Sequence, residues 1–333
     1  MHTQVIRWVV AVPATVVLAA ITVMSSGEFV ALAQAGQNRG PTPAAAGSGE
    51  IQVQLVQGHI YLLVGAGANI AASVGDNGVL LVDTGTAAAS AQVLAAIRGL
   101  SKGPIQYIIN TQFNDGHTGG NEAIAKAGRR VADGQSTQAA VLAHENVLNR
   151  MSAPSGSASP RSVAAWPTDT FFSKRKEVYF NGEAVQIFHR PAATDGDSYV
   201  FFRKSDVIVA GDLYSTTSYP VIDVAAGGHI NGVIEGLNDL VDLMVPVNNV
   251  EDGTLVIPGH GRLSDEYDVA AYRDMVTIIR DRVQDAVKKG MTLAQVKADT
   301  RLTLEYDGRY GATTGSWTTG MFLEAVYRNL TTK

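Results

Sequence analysis

The chain has 333 residues, enough for one large domain or two ordinary ones. Hydrophobic residues make up 46% and glycine occupies 34 positions, so a substantial core and many turns are expected, while charged residues reach only 17%. A formal charge of −5 without a basic stripe excludes nucleic acid as a partner, and the absence of cysteine excludes disulfides, a lipoprotein anchor and thiolate metal ligands.

Residues 1–35 read as an export signal. Arg7 precedes an apolar run from Trp8 to Met24, and Ala31-Leu32-Ala33 and Ala33-Gln34-Ala35 offer small-residue cleavage sites. The alternative is a retained anchor, because the run is nearly long enough to span a bilayer. Pro13 within it and the sites after it favour cleavage, which predicts a periplasmic or secreted protein with no membrane attachment afterwards. Residues 36–50, rich in Pro, Gly, Ala and Ser, read as a flexible linker, and residues 51–333 as one domain.

That domain begins with strand-like runs at Ile51–Val56, Ile60–Val64, Ile70–Val74 and Val79–Asp83, broken by Gly58 and by Asp76-Asn77-Gly78. A helix is predicted from about Ala88 to Leu100, with Val93, Leu94 and Ile97 on one face. Ile105–Ile109 reads as a short strand, and Asn121–Lys126 and Thr137–Met151 as helices. After a low-complexity loop at Ser152–Pro160, strands resume at Glu177–Tyr179, Val185–Phe188, Tyr199–Phe202 and Val207–Val209. Helices at Gly232–Met244 and Glu266–Lys289 flank a last strand at Thr254–Ile257, and the tail is helical at Leu293–Lys297 and Gly315–Leu330. Two blocks of strands, each followed by helices, predict two sheets held between helical layers.

Four segments carry the chemistry. They are Val79-Leu80-Leu81-Val82-Asp83-Thr84-Gly85; Asn110-Thr111-Gln112-Phe113-Asn114-Asp115-Gly116-His117-Thr118-Gly119-Gly120-Asn121; Ala210-Gly211-Asp212, followed by Tyr219-Pro220-Val221-Ile222-Asp223; and Pro258-Gly259-His260-Gly261. In this order and at these spacings they resemble the landmarks of the metallo-β-lactamase superfamily. The resemblance spans residues 79 to 261 and implies an α/β fold, the four-layer αββα sandwich, with an active site in loops at one edge.

The family's metal motif runs Thr-His-x-His-x-Asp-His-x-Gly-Gly-Asn. Set on Thr118-Gly119-Gly120-Asn121, its two first histidines fall on Gln112 and Asn114, its Asp on Gly116 and its last His on His117. A further ligand, a His before a Thr-Asp-Gly-Asp stretch, falls on Ala193, the bridging Asp on Asp212 and the final His on His260. One of the family's two metals thereby loses all three imidazoles. Alanine and glycine have no donor atom, and the amides of Gln112 and Asn114 are poor zinc ligands. His117, Asp212 and His260 remain, a donor set known from mononuclear zinc and non-haem iron sites. Asp115, beside the lost Asp, is a candidate fourth ligand; otherwise Asn114-Asp115-Gly116 is simply a turn.

Three readings follow. In the first, one zinc or iron ion at His117, Asp212 and His260 serves a hydrolase acting on a small ester, lactone, thioester or amide, a β-lactam among them, as the family implies. In the second, the protein is a metal-free pseudoenzyme or small-molecule-binding protein in which Gln112 and Asn114 offer hydrogen-bonding groups. Metal-free acid–base catalysis by His117 and Asp212 is a third. His229, in a loop that borders the cleft in the family, is a candidate proton-transfer group. Ala193, Tyr214 and Tyr219 join Gln112 and Asn114 as expected cleft residues, with core packing the alternative for the tyrosines. His59 and His144 read as surface residues, His189 as the end of a strand, and Tyr306–Gly311 as a tie between the C-terminal helix and the sandwich. The expected partner is a small molecule; oligomeric state is left open.

Overall fold

Short apolar runs punctuated by glycine turns fold after Glu50 into a meander. The computed structural model of the chain describes residues 50–130, 137–153, 160–246 and 252–332. The expected export segment and nearly all of the linker, with most of the Ser152–Pro160 loop, lie outside the described residues. The meander comprises β1 (Gln52–Gln57), β2 (Ile60–Val64), β3 (Ile70–Gly75) and β4 (Gly78–Val82), each antiparallel to the next. At the β3–β4 turn Gly78 has φ +101°, and a Cβ there would stand 2.4 Å from the Pro104 carbonyl oxygen, so only glycine fits.

Helix α1 (Ser90–Leu100) then crosses to β5 (Ile105–Ile109), which lies parallel to β4. The single-turn α2 (Asp115–Thr118) and α3 (Asn121–Ala127) lead to β6 (Ala140–His144), and α4 (Glu145–Ser152) to β7 (Asp169–Phe171), both strands again parallel. The predicted helix over Thr137–Met151 is therefore corrected in its first half. Ala140–Ala143 is a continuous apolar run, buried with His144 along the whole strand, the pattern of a parallel strand covered on both faces. Ala and Leu suit a helix equally well, and the pairing with β5 decides the outcome.

The second sheet holds β8 (Arg175–Phe180), β9 (Glu183–His189), β10 (Ser198–Phe202) and β11 (Val207–Ser215) as an antiparallel meander. Helix α5 (Ile230–Leu243) returns the chain to β12 (Leu255–His260), parallel to β11. Helices α6 (Glu266–Lys288), α7 (Leu293–Ala298), α8 (Leu304–Tyr310) and α9 (Thr319–Thr331) complete the chain. Among the described residues no helix is long and apolar enough to cross a membrane.

Three cores make four layers. Leu62, Leu80, Val82, Ile109 and Leu142 of the first sheet meet Ile187, Val200, Phe202, Val207 and Val209 of the second. Val93 and Ile97 of α1, with Ile124 of α3, cover the outer face of the first sheet. Leu237, Leu240, Met275, Ile279 and Phe322, from α5, α6 and α9, cover the second. Each such fully buried side chain favours folding by about 1.5–3 kcal/mol, so a chain without disulfides is held by its interior. This is the expected αββα sandwich.

Tyr214 and Tyr219 belong to that interior. Each is 1% exposed; the Tyr214 hydroxyl donates to Ser264 Oγ at 3.0 Å and the Tyr219 hydroxyl to Asp307 Oδ1 at 2.9 Å. Tyr219 also stacks on Phe322, so α8 and α9 are tied to the sandwich through the Asp307 neighbourhood. Aromatic rings with satisfied hydroxyls are stable when sealed away from water. The expectation that these tyrosines line a cleft is corrected: they are core.

Candidate metal centre

The carboxyl ends of the parallel strands meet at one edge, the position at which α/β sheets present loops to ligands. Asp83 immediately follows β4 and adopts φ +64°, a conformation that short polar side chains tolerate better than others. Its carboxylate is held from three directions. The Thr111 backbone N–H donates to Oδ1 at 2.8 Å, the Thr111 hydroxyl donates to Oδ2 at 2.6 Å, and His117 Nδ1 lies 2.7 Å from Oδ2.

His117 sits on α2, the one-turn helix that follows β5, and is 1% exposed. Its carbonyl oxygen accepts from the Thr84 N–H at 2.8 Å and from the Thr84 hydroxyl at 3.0 Å, which fixes the turn against the end of β4. With Nδ1 committed to Asp83, Nε2 faces the second sheet. There it lies 3.1 Å from Asp212 Oδ1, without forming a hydrogen bond. His260, at the end of β12, brings Nε2 to 3.4 Å from the same oxygen. The other oxygen of Asp212 accepts from the Gln112 side-chain N–H.

Glycine makes this approach feasible. A Cβ on Gly259 would stand 2.6 Å from Asp212 Oδ1, so β12 can pass this close to the carboxylate only without a side chain there. Ser198 N–H donates to the Thr111 carbonyl at 2.8 Å, a further tie between the sheets at this edge.

Charge follows geometry. Burial opposes a charged His117, yet the carboxylates of Asp212 and then Asp83 together hold its pKa well above the ordinary histidine value. Burial likewise opposes ionised Asp212, but the His117 charge, reinforced by His260, holds it well below the usual carboxylate range. Nearby Asp197 behaves in the opposite way. Burial raises its pKa to about 7, although the Thr194 backbone N–H and hydroxyl both donate to it.

One ion fits this donor set. His117, Asp212 and His260 offer ligand atoms all within 4.8 Å of one another. The buried His117 Nε2 has the Asp212 carboxylate beside it at 3.1 Å, and its ring is oriented by a second carboxylate on Nδ1, the usual outer support of a metal-bound histidine. The positions that the resemblance assigns to a second ion have lost their donor side chains. Gln112 is engaged with Asp212, Ala193 is 3% exposed and has no donor side chain, and Gly116 offers only backbone.

The other expected site residues are placed as follows. Asn114 is half-buried and is the residue before α2. Asp115 is corrected as a candidate ligand: its side chain is 81% exposed and paired with the Arg161 guanidinium. A carboxylate at the outer side of a one-turn helix cannot also reach the side on which His117 is buried. His229 precedes α5 and its Nδ1 accepts from the Asn231 N–H at 3.1 Å, a capping role outside the three-residue cluster. Sequence reasoning gave Asp83 no part in the site. Its signal was a strand ending in Asp-Thr-Gly, where a left-handed Asp turns its side chain back toward Thr111 and His117. His144, read as a surface residue, is 4% exposed and stacks on His189.

Comparison with known proteins agrees with this architecture. The family model described as the metallo-beta-lactamase superfamily matches residues 55–260. Among solved structures, a double mutant of the sec-alkyl sulfatase PisA1 is 18% identical with a TM-score of 0.61, and the match covers 84% of this chain and 50% of that one. The stereoselective inverting sec-alkylsulfatase Pisa1 from Pseudomonas sp. is 16% identical, with a TM-score of 0.58 and the same coverage. This chain thus spans half the length of those sulfatases. A metallo-beta-lactamase from Pontibacter korlensis is 15% identical with a TM-score of 0.52, the match covering 68% of this chain and 99% of that one. At such identities the likeness concerns the fold. No curated protein matches. With the family model covering more than half of its length, the chain belongs to the metallo-beta-lactamase superfamily.

Proposed function

We propose that this protein is an exported hydrolase that holds a single divalent ion, zinc or iron, and cleaves a small ester, lactone, thioester or amide. The observation that carries the reading is the convergence of His117, Asp212 and His260 donor atoms within 4.8 Å, with His117 oriented by Asp83. A bound ion would supply a water of lowered pKa and polarisation of the scissile carbonyl. The chain's own part is positional. Asp83 sets the His117 tautomer, Gly259 admits Asp212 to the edge, and Thr84 anchors the α2 turn. Export rests on the N-terminal sequence pattern alone.

The test is elemental analysis of untagged protein after zinc or iron supplementation, alongside Asp212→Ala. One equivalent in the parent and none in the variant supports the reading; two equivalents, or none in either, overturns it. A panel of esters, lactones, thioesters, β-lactams and secondary alkyl sulfates then sorts substrates, the last included because of the sulfatase neighbours. The length of the mature chain, read by intact mass, tests export.

A second reading is a metal-free binding protein in the same compartment. It is favoured by the Gln112–Asp212 hydrogen bond, which satisfies the buried carboxylate without an ion.

A further inference from the structure

We infer that the Gln112 carboxamide is a built-in substitute for an ion at Asp212, and that it is the residue which limits the affinity and number of ions the centre takes. The clause about number rests on the single-ion reading above; the clause about competition does not.

The two oxygens of Asp212 have separate surroundings. Oδ1 faces His117 Nε2 at 3.1 Å and His260 Nε2 at 3.4 Å, and the backbone of Gly259 closes upon it. Oδ2 faces Gln112 alone among the side chains hydrogen-bonded to it. The Gln112 side-chain nitrogen is the atom turned toward Asp212, donating to Oδ2; the reverse orientation would set oxygen against oxygen. That choice has a consequence. Gln112 is 1% exposed, and its Oε1 is left buried with no hydrogen-bond partner. An unsatisfied buried acceptor lowers stability, so the cap on Oδ2 is retained against a local cost.

The donor N–H places partial positive charge where a cation would otherwise lie. It neutralises Oδ2 in the metal-free protein and makes that oxygen a weaker ligand. Any ion drawing on both oxygens must first displace the amide. Gly116 and Ala193, at positions where the resemblance expects ligands, carry no donor side chain. Gln112 is therefore the point of control. Exchanging it for imidazole removes the competitor and adds a ligand. Exchanging it for leucine removes the competitor and leaves Oδ2 bare.

The experiment uses the full chain and the variants Gln112→His and Gln112→Leu, each stripped with chelator. Zinc affinity is read by competition with a chromophoric chelator, cobalt ligation by its visible absorption, and stability by thermal melting with and without zinc. Gln112→His is expected to bind zinc at least tenfold more tightly than the parent, about 1.4 kcal/mol, with a changed cobalt spectrum. Zinc affinity in Gln112→His within threefold of the parent overturns the inference. If that variant does not fold, Gln112→Leu decides: it should melt lower than the parent when metal-free and show a larger upward shift with zinc, and an equal shift overturns the inference. A parent that binds no zinc while Gln112→His does refutes the single-ion hydrolase and sustains the inference. A parent that binds one ion no more weakly than Gln112→His does the reverse.

Discussion

His144 and His189 lie face to face, their ring centroids 3.4 Å apart and their planes 2° from parallel. One closes β6 of the first sheet and the other closes β9 of the second, so the stack joins the sheets. Each ring has its own anchor. His144 Nδ1 accepts from the Asn146 N–H at 3.3 Å, and His189 Nδ1 lies 3.1 Å from the Asp197 carbonyl oxygen. Two imidazoles this close disfavour each other's protonation. Burial first, and then the proximity of His144, lowers the His189 pKa from 6.5 to about 4.

This stack predicts an acid-sensitive contribution to stability. The folded pKa of His189 lies below its unfolded value, so the unfolded chain takes up the proton first. The contribution is whole above pH 6.5 and is lost as the pH falls toward about 4. In His189→Phe the ring still stacks but does not titrate. The melting temperature of the parent relative to this variant should therefore fall between pH 6.5 and pH 4; a constant difference would refute the assignment. Using the variant as reference cancels Asp197, whose raised pKa of about 7 acts in the opposite sense.

Asp83→Asn keeps a residue that tolerates the left-handed backbone but removes the charge that fixes His117. Zinc affinity should drop by about 10–100-fold, as is usual when the outer partner of a metal-bound histidine is lost. Chelator competition measures it, with melting curves as the check on folding. An unchanged affinity would mean that Asp83 serves the turn alone.

Gly259→Ala tests the closeness of β12 to the carboxylate without altering any ligand. The added methyl would stand 2.6 Å from Asp212 Oδ1 and 2.6 Å from the Gly211 carbonyl oxygen. We expect a loss of about 1–3 kcal/mol in denaturant unfolding together with failure to retain zinc. Normal zinc content would show that the strand can yield.

Asp115→Ala should leave zinc affinity unchanged, because this carboxylate is exposed and paired with Arg161 rather than turned toward His117. A tenfold weakening would restore it as a ligand.

The fold was legible because hydrophobic period and turn residues agree over most of the chain. It failed at Thr137–Met151, where Ala140–His144 became a strand through a partner 33 residues away in register, Tyr107 with Ala140. Periodicity cannot distinguish a doubly covered strand from a buried helix. In the site, the three retained donors were legible through the resemblance to the family's motif, and the structure brings them together. Asp83 and the Gln112–Asp212 bond were not, since a hydrogen bond between distant segments leaves no local pattern. Nor was the burial of Tyr214 and Tyr219 settled, since it depends on segments that arrive later, Tyr272 against Tyr214 and Phe322, about a hundred residues on, against Tyr219.

The Gln112–Asp212 contact closes a loop of 100 residues, and His260 comes from further along still. Loop closure of that reach comes late in folding, after local hairpins and helices are in place. An unfolded chain therefore presents no such cluster, and any ion the centre takes would bind after the two sheets have docked rather than guide their docking. On the single-ion reading, the order of assembly is polypeptide first, ion second.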